Sequence, residues 1–346
     1  MDQRAQEILD KVIEHYIENA EPIGSRMLSK LLQKKLSPAT IRNVMTDLTE
    51  MGYIEQPHTS AGRVPTDIAY RYYINKLLAG ISPQINQTFA EKTAQEKGHH
   101  HNSIGDILLE ASNELSSITN CTGIVISPML SASRLKQIQL IRLNEKQILV
   151  VIVTQIGMVH NKIIHFRATP EQEDLDKMAS ILLDFFEKEP IAGIRKSLIK
   201  KLTRDKEECN QLIIQAIRLG KKAFDIESPG ELYISGRSRM CSFPEFKDQK
   251  KLKAVYNVFE DKIALTDLMI EAMKDDGINV KIGTENRLMG LNTCSVVSGT
   301  YGNQGHLLGS IGIVGPTRLN YSKVLSAIHY STEKLSFTLS RFLDNG

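Results

Sequence analysis

Apolar residues recur at every third or fourth position near the start of the chain, which is the spacing of an amphipathic helix. The run that shows this spacing best is Ile8, Leu9, Val12, Ile13, Tyr16 and Ile17. Pro22 and Gly24 interrupt the pattern, and a shorter second helix is predicted over residues 26–32. The chain therefore begins with two helices joined by a tight connection.

A third helix is predicted over residues 38–51. Ser37 and Pro38 favour a helix start there, because a serine side chain can accept from unpaired helix N–H groups and proline has no N–H to leave unpaired. The elements predicted next are a strand at 53–56, a strand at 63–65 and a helix at 67–78. Three helices, a β-hairpin and a further helix predict a winged helix-turn-helix domain over residues 1–80.

The remainder of the chain has a mixed α+β pattern. Residues 81–103 are polar and are predicted to be a linker with a helix. Beyond them the pattern predicts helices at 106–117, 253–273 and 321–343 and strands at 135–143, 147–154, 158–166, 231–235, 279–282, 294–300 and 307–314. A mainly helical block interrupts this pattern. We therefore predict one α+β domain over 104–168 and 230–346, with residues 169–229 inserted into it.

The third helix has the surface of a DNA-reading helix. Its apolar residues Ile41, Val44, Met45 and Leu48 share one face, and Thr40, Arg42, Asn43 and Thr46 lie on the opposite face and its flanks. Arginine can bridge O6 and N7 of guanine, and asparagine can bridge N6 and N7 of adenine. From the residues alone, a plain amphipathic surface helix is an equally good interpretation.

The predicted hairpin and the charge distribution add to the DNA-binding hypothesis. The hairpin loop contains His58, Thr59 and Ser60 and is followed by Arg63, which are residue types suited to phosphate contacts or a groove edge. Basic residues, including Lys35 and Arg42, crowd around the third helix, whereas the first helix is acidic. The loop taken by itself also fits a solvated hairpin.

Composition places few limits on function. The chain of 346 residues is 41% hydrophobic and 24% charged, with a net charge of +3. Its four cysteines are far apart, which predicts neither a disulfide framework nor a zinc site and favours a reducing compartment. The longest apolar run, residues 148–153, is much shorter than the ~20 residues that span a membrane. We expect a cytoplasmic protein with no signal peptide and no membrane partner.

No catalytic chemistry is predicted. The glycine-rich stretch 302–315 has no phosphate-binding motif, and the histidines at 99–101 lack further ligands at metal-binding spacing. Glu285, Asn286 and Arg318 are predicted at strand ends and form no acid–base or nucleophilic set, so we expect structural or partner contacts there. The sequence thus predicts no enzyme, no cofactor and no metal.

Several motifs resemble one known family. They are GSRMLS at 24–29, LSPATIRNVMTDLTEMGYIEQPHTSAGRVPT at 36–66, YRYYI at 70–74, IGTEN at 282–286, CSVVSGTYG at 294–302 and GSIGIVGPTRLNYSKV at 309–324. Together they are similar to the heat-inducible transcription repressor HrcA family, over nearly the whole chain. Val44 and Thr49 depart from the family pattern, in which acidic residues are expected.

The resemblance implies a dimeric repressor of chaperone operons in the bacterial cytoplasm, associated with the nucleoid. It implies binding to an inverted-repeat operator named CIRCE and dependence on the GroEL chaperonin. The implied fold is a winged helix domain and a GAF-like domain with an inserted dimerisation domain. The residues expected to contact DNA are Lys35, Ser37, Thr40, Arg42, Asn43, Thr46, His58, Thr59, Ser60 and Arg63.

The inserted block carries the apolar face that we expect to hold two copies together. Leu175, Met178, Leu182 and Phe186 recur there at helical spacing. Two copies would read twice as much DNA as one, which a specific repressor needs. Alternatively, this face packs on the GAF-like domain of the same chain. A different class of function is also open: a small-ligand sensor with a GAF-like cup that regulates the winged helix.

Overall fold

The computed structural model describes residues 1–33, 36–58, 61–80, 103–128, 134–155, 157–166, 168–186, 211–224, 230–274, 277–303 and 306–344, together with 191, 194 and 197. Some predictions lie outside these residues. They concern Lys35, Thr59, Ser60, the linker helix and the histidines at 99–101, as well as the side chain of Phe186.

The first eighty residues have the predicted element order. They form α1 (Gln3–Asn19), α2 (Ser25–Leu31), α3 (Pro38–Glu50), β1 (Ile54–Glu55), β2 (Val64–Pro65) and α4 (Asp67–Gly80). The carboxylate of Asp2 caps α1 by accepting from the Ala5 N–H at 2.7 Å. The Ser37 hydroxyl caps α3, and Pro38 occupies the first turn, as predicted. The second helix instead begins at Ser25, with Gly24 as its cap.

The wing is attached to the connection between α1 and α2. Ile23 and Arg63 exchange two backbone hydrogen bonds, of 3.0 and 2.8 Å, and so form an isolated β-bridge next to β2. Gly62 permits this approach, because a Cβ there would lie 2.5 Å from the backbone of Ile23. The pairing thereby fixes where the wing leaves the helical core.

A five-stranded antiparallel sheet forms the centre of the GAF-like domain. Its order is β7-β3-β10-β9-β8. The strands are β3 (Thr122–Ile126), β7 (Leu232–Ser235), β8 (Ile278–Ile282), β9 (Cys294–Asn303) and β10 (His306–Pro316). Helices α5 (Ile104–Thr119) and α10 (Tyr321–Asp344) cover one face, and α8 (Gln249–Glu260) and α9 (Lys262–Glu271) cover the other. Val297 packs on the α10 side and Val296 on the α8 side, as strand alternation requires.

Two details of this domain differ from the predictions. The strand β3 was not predicted, because all five of its residues are buried and it shows no polar alternation. The single long helix predicted at 253–273 is two helices. Asp261 separates them and caps the second, its carboxylate accepting from the Ala264 N–H at 3.0 Å.

A separate body is inserted between β3 and β7. It contains the antiparallel sheet β4-β5-β6, formed by β4 (Leu135–Asn144), β5 (Gln147–Thr154) and β6 (Val159–His165), with α6 (Gln172–Phe186) and α7 (Gln211–Ala223). These elements share their own apolar core. The sequence-based boundary at residue 169 therefore cuts through this body, and residues 135–165, assigned to the GAF-like domain, pack with the inserted helices instead.

The expected dimerisation residues lie inside that core. Leu175, Met178 and Leu182 have no exposed surface and pack with residues such as Ile138 and Ile152 of the sheet. A side chain buried within its own chain cannot also form a surface for a second copy. The alternative interpretation was packing on the GAF-like domain. The face is covered by the same chain, but the sheet that covers it belongs to the inserted body.

Candidate DNA-binding interface

Helix α3 presents its polar face to solvent. Ile41, Met45 and Leu48 are buried against the helices before it, which fixes the rotation of α3 about its axis. Arg42, Asn43 and Thr46 are consequently exposed. Within the described part of the chain, no carboxylate pairs with Arg42. Its guanidinium is therefore available for a guanine edge or a phosphate.

The hydroxyl groups on this helix already take part in helix hydrogen bonds. The Ser37 Oγ accepts from the Thr40 N–H at 3.1 Å and lies 2.9 Å from the Thr40 Oγ1. The Thr46 hydroxyl donates to the Arg42 carbonyl at 3.0 Å. Ser37 thus holds the first turn, and the side chains left to reach furthest from α3 are those of Arg42 and Asn43.

The structure connects the wing to the reading helix through Arg63. Its Nε donates to the Thr49 Oγ1 at 3.2 Å, and the side chain is half-buried. Arg63 therefore turns toward α3 rather than toward the wing tip, where His58 is exposed. Thr49 was not predicted to have a role. Because its side chain is uncharged, Thr49 orients Arg63 without neutralising it.

Glu285 and Arg318, for which structural contacts and no catalytic role were predicted, join the GAF-like domain to the winged helix. Glu285 pairs with Arg71 of α4, and Arg318 donates to the Ile17 carbonyl at the end of α1. Burial would raise the pKa of Glu285, but hydrogen bonds from Arg71 and the Ile282 N–H hold that pKa below its ordinary value. The expectation of structural contacts at Glu285 and Arg318 is confirmed.

The buried thiols are unsuited to nucleophilic chemistry. Burial raises the pKa of both Cys121 and Cys294 to about 12, so each is a neutral thiol near pH 7. Among the residues that the structure describes, no group of three His, Cys, Asp or Glu side chains is placed to hold a metal ion. In the same residues, no helix is both long and apolar enough to cross a membrane.

A cavity of about 280 Å³ lies between the domains, lined by residues that include Ile17, Phe243, Arg318 and Lys323. A second, of about 250 Å³, lies beside Gly299 and His329 at the β8 edge of the sheet. Both are smaller than the ~300–1,000 Å³ typical of small-molecule sites. The first cavity also has polar lining residues, among them Glu18 and Asn120.

Comparisons with known proteins agree with this arrangement. A family model described as "Winged helix-turn-helix transcription repressor, HrcA DNA-binding" matches residues 1–77, and one described as "HrcA protein C terminal domain" matches residues 105–325. The computed structure is also similar to a crystal structure titled as a hypothetical protein. The TM-score is 0.61 at 22% identity, over 99% of this chain and 98% of the other.

Curated relatives match over nearly their whole length. A protein of Geobacter sulfurreducens named heat-inducible transcription repressor HrcA is 35% identical, over 95% of each chain. A protein of the same name from Pelotomaculum thermopropionicum is 34% identical, over 99% of this chain and 98% of its own. The relatives are named as repressors and not as enzymes. The chain belongs to the HrcA family of heat-inducible transcription repressors, and its first domain is the DNA-binding winged helix of that family.

Proposed function

We propose that this protein is a homodimeric repressor of heat-shock and chaperone operons that binds an inverted-repeat operator of the CIRCE type. The observation that carries the proposal is the exposed face of α3, where Arg42 and Asn43 extend from a rigidly packed helix. Phosphate contacts are proposed for Lys35, His58, Thr59 and Ser60, with Ser37, Thr40 and Thr46 shaping the helix surface. Arg63 is proposed to contact DNA from the base of the wing.

The proposed dimer contact is the outer face of the sheet β4-β5-β6. Ile141, Leu149 and Ile163 are paired across the three strands on this face, and Val153 pairs with Val159 at the other end. Val159 is 66% exposed and Ile163 50% exposed. Gln139, Val151 and Asn161 form the row between them, so the face combines exposed apolar side chains with amides. Exposed apolar side chains grouped on one sheet face mark a protein contact.

A second copy of the chain is the occupant that fits this surface. The operator read by a dimer is an inverted repeat, so the two reading helices must be related by a two-fold axis. A face that pairs with itself supplies such an axis without any other component. The apolar character of the face also agrees with the composition of homodimer interfaces. Analytical ultracentrifugation of the full chain is expected to give a dimer, and a monomer at micromolar concentration would contradict this part of the proposal.

Modulation by the GroEL chaperonin is proposed from the family resemblance. Adding purified GroEL is expected to raise the fraction of the repressor that can bind operator DNA. The measurement is a titration of labelled operator with and without GroEL. No change in the active fraction would remove GroEL from the proposal and leave the operator-binding proposal intact.

The decisive experiment on DNA binding compares two duplexes at equal salt. One contains an inverted repeat and the other the same bases scrambled. Tighter binding to the repeat by about tenfold or more is expected, because specific sites exceed non-specific ones by ~10³–10⁷ for typical regulators. Equal retardation of both duplexes would contradict sequence-specific binding. A bound repressor of this kind acts at the nucleoid, in the bacterial cytoplasm.

The small-ligand sensor is the second candidate function. The cavity beside Arg318 supports it, because it lies at the contact between the winged helix and the GAF-like domain. A ligand held there would change operator affinity. Thermal shift with a small-molecule library tests this function, and the repressor proposal does not depend on its outcome.

A further inference from the structure

The winged helix is fastened to the GAF-like domain by a polar contact on α4, which we call the α4 latch. It consists of Asp67, Arg71, Thr284 and Glu285. The Asp67 Oδ2 accepts from the Thr284 N–H at 3.1 Å and lies 3.2 Å from the Thr284 Oγ1. The Arg71 Nε donates to the Glu285 Oε1 at 2.9 Å, and its Nη2 contacts the Glu285 Oε2. The same Nη2 donates to the carbonyl of Val280 at 2.6 Å. A two-pronged arginine–carboxylate pair fixes direction as well as distance.

The loop that receives α4 is held in shape by its own hydrogen bonds. The Glu285 Oε2 accepts from the Ile282 N–H at 2.9 Å. The buried Asn286 amide donates to the carbonyls of Gly283, Leu291 and Cys294 at 2.9–3.1 Å. Gly283 has φ +49°, and a Cβ there would lie 2.1 Å from the Asp67 Oδ2. The loop therefore needs glycine both for its backbone conformation and for the approach of Asp67.

A second fastening lies on α1. The Arg318 Nη1 donates at 2.6 Å to the carbonyl of Ile17, which is in the last turn of α1 and has no partner within the helix. The Arg318 Nε donates to the Glu245 Oε1 at 2.6 Å, and the arginine side chain is only 12% exposed. Between the two fastenings, the rings of Tyr70 and Tyr321 lie 5.8 Å apart in the apolar contact.

The α4 latch and the contact of Arg318 with α1 lie on two different helices. Together they restrict both rotation and translation of the winged helix relative to the GAF-like domain. One attachment point lets a domain pivot, but contacts at α4 and at the end of α1 together leave the winged helix in one orientation. The position of α3 relative to the GAF-like domain is then fixed. In a dimer held by the inserted body, the distance and the angle between the two reading helices depend on this position and on the join between the GAF-like domain and the inserted body.

We propose that Asp67, Arg71, Glu285 and Arg318 are positioning residues that set the half-site spacing which the repressor accepts. The proposal rests on the proposed function, because it requires a dimer that binds an inverted repeat. It assigns no DNA contact to these four residues. It predicts that weakening the latch changes which operators are accepted more than it changes the recognition of one half-site.

The test is a series of operators whose half-sites are moved apart or together by one and two base pairs. Each added base pair also turns one half-site by about 34° around the duplex, since a turn contains ~10.5 base pairs. The full-length wild-type protein is expected to prefer one spacing by at least about tenfold. Arg71→Ala and Glu285→Gln are expected to bind that spacing more weakly and to reduce the preference to about threefold or less. Binding to an isolated half-site is expected to stay within twofold of wild type.

Arg142→Ala is the matched control. Arg142 also pairs with a carboxylate, that of Glu171, and its side chain is 31% exposed, as is that of Arg71. This pair lies within the inserted body, so the control is expected to keep the wild-type spacing preference. The double variant Arg71→Glu with Glu285→Arg is expected to recover part of the preference, which separates loss of the pair from loss of folding.

The outcomes distinguish this inference from the proposed function. A wild-type protein that binds no inverted repeat contradicts the proposed function. A wild-type protein with a clear spacing preference that Arg71→Ala and Glu285→Gln both retain in full overturns the positioning role. Loss of half-site binding in Glu285→Gln also overturns it, because the latch would then support the reading helix itself rather than its placement.

Discussion

The winged helix and the inserted body both leave a patterned surface exposed, but the two surfaces have opposite chemistry. On α3, the apolar face is buried and Arg42 and Asn43 face solvent. On the inserted sheet, one apolar face is buried against α6 and α7, and apolar residues such as Ile141 and Ile163 are also exposed on the other face. A polar surface on a rigid helix suits base edges, whereas an apolar sheet face suits another copy of itself. The comparison separates the reading role from the pairing role.

Replacing a core residue of the inserted body should have the largest effect. Leu182→Ala removes a fully buried side chain from the core shared by α6 and the sheet. We expect it to lower the free energy of unfolding of that body by about 2–5 kcal/mol. Urea denaturation measures the change. Ile163→Ala, on the exposed face of the same sheet, is the control and should cost much less. Equal costs would contradict the assignment of the two faces.

Placing a charge on the exposed face of the sheet should break the dimer without unfolding the chain. Ile163→Glu puts a carboxylate on the proposed contact face, where it would be buried without a partner in the dimer. We expect a folded monomer in sedimentation, with affinity for the inverted repeat reduced by about a hundredfold because the second half-site no longer adds avidity. A dimer with wild-type affinity would move the pairing surface elsewhere.

Changes on α3 should affect sequence recognition and not assembly. Arg42→Ala and Asn43→Ala are each expected to weaken specific operator binding by about 1–3 kcal/mol, the usual worth of a good base contact. Both side chains are exposed, so thermal stability and sedimentation should match those of wild type. Competition with scrambled DNA measures the specificity. Unchanged specificity in both variants would remove α3 from the reading role.

The smallest expected effect concerns non-specific electrostatics. Lys35→Ala and Arg63→Ala should each weaken specific and scrambled DNA alike, and each should reduce the salt dependence of binding by about one phosphate contact. Arg63→Ala also removes the hydrogen bond to Thr49, so Thr49→Val is the control for that contact. A salt slope equal to that of wild type would show that neither charge meets phosphate.

The sequence predicted local features well and long-range contacts poorly. The Ser37 cap, the buried face of α3 and the order of the wing depend on residues close together in the chain, and these features are confirmed. The pair between Arg71 and Glu285 joins residues 214 positions apart, so no local spacing pattern predicts it. Strand alternation likewise identifies β4, β5 and β6 but does not say which sheet they join. That depends on which core is able to bury them.

The dimerisation prediction failed at Leu175, Met178 and Leu182 for a related reason. An apolar stripe on a helix shows that the stripe is covered, but the pattern is the same whether the cover is another chain or the same one. Here the cover is the sheet that precedes the helix in the chain. The informative residues were those on the outer face of that sheet, where an apolar residue has no core to fill.

The place where the inserted body joins the GAF-like domain has a consequence for folding. The strands on either side of it, β3 and β7, are neighbours in the sheet, and Ile126 is paired with Leu232. The Ser127 N–H donates to the Glu231 carbonyl at 2.8 Å. The chain therefore leaves the five-stranded sheet and returns to it at adjacent positions. In topological terms, the inserted body occupies the loop of a β-hairpin. A body that folds within this loop shortens the flexible chain that β3 and β7 must close when they pair, which lowers the entropy cost of that pairing. A short turn joining Ser127 to Glu231 should also leave the five-stranded sheet able to form.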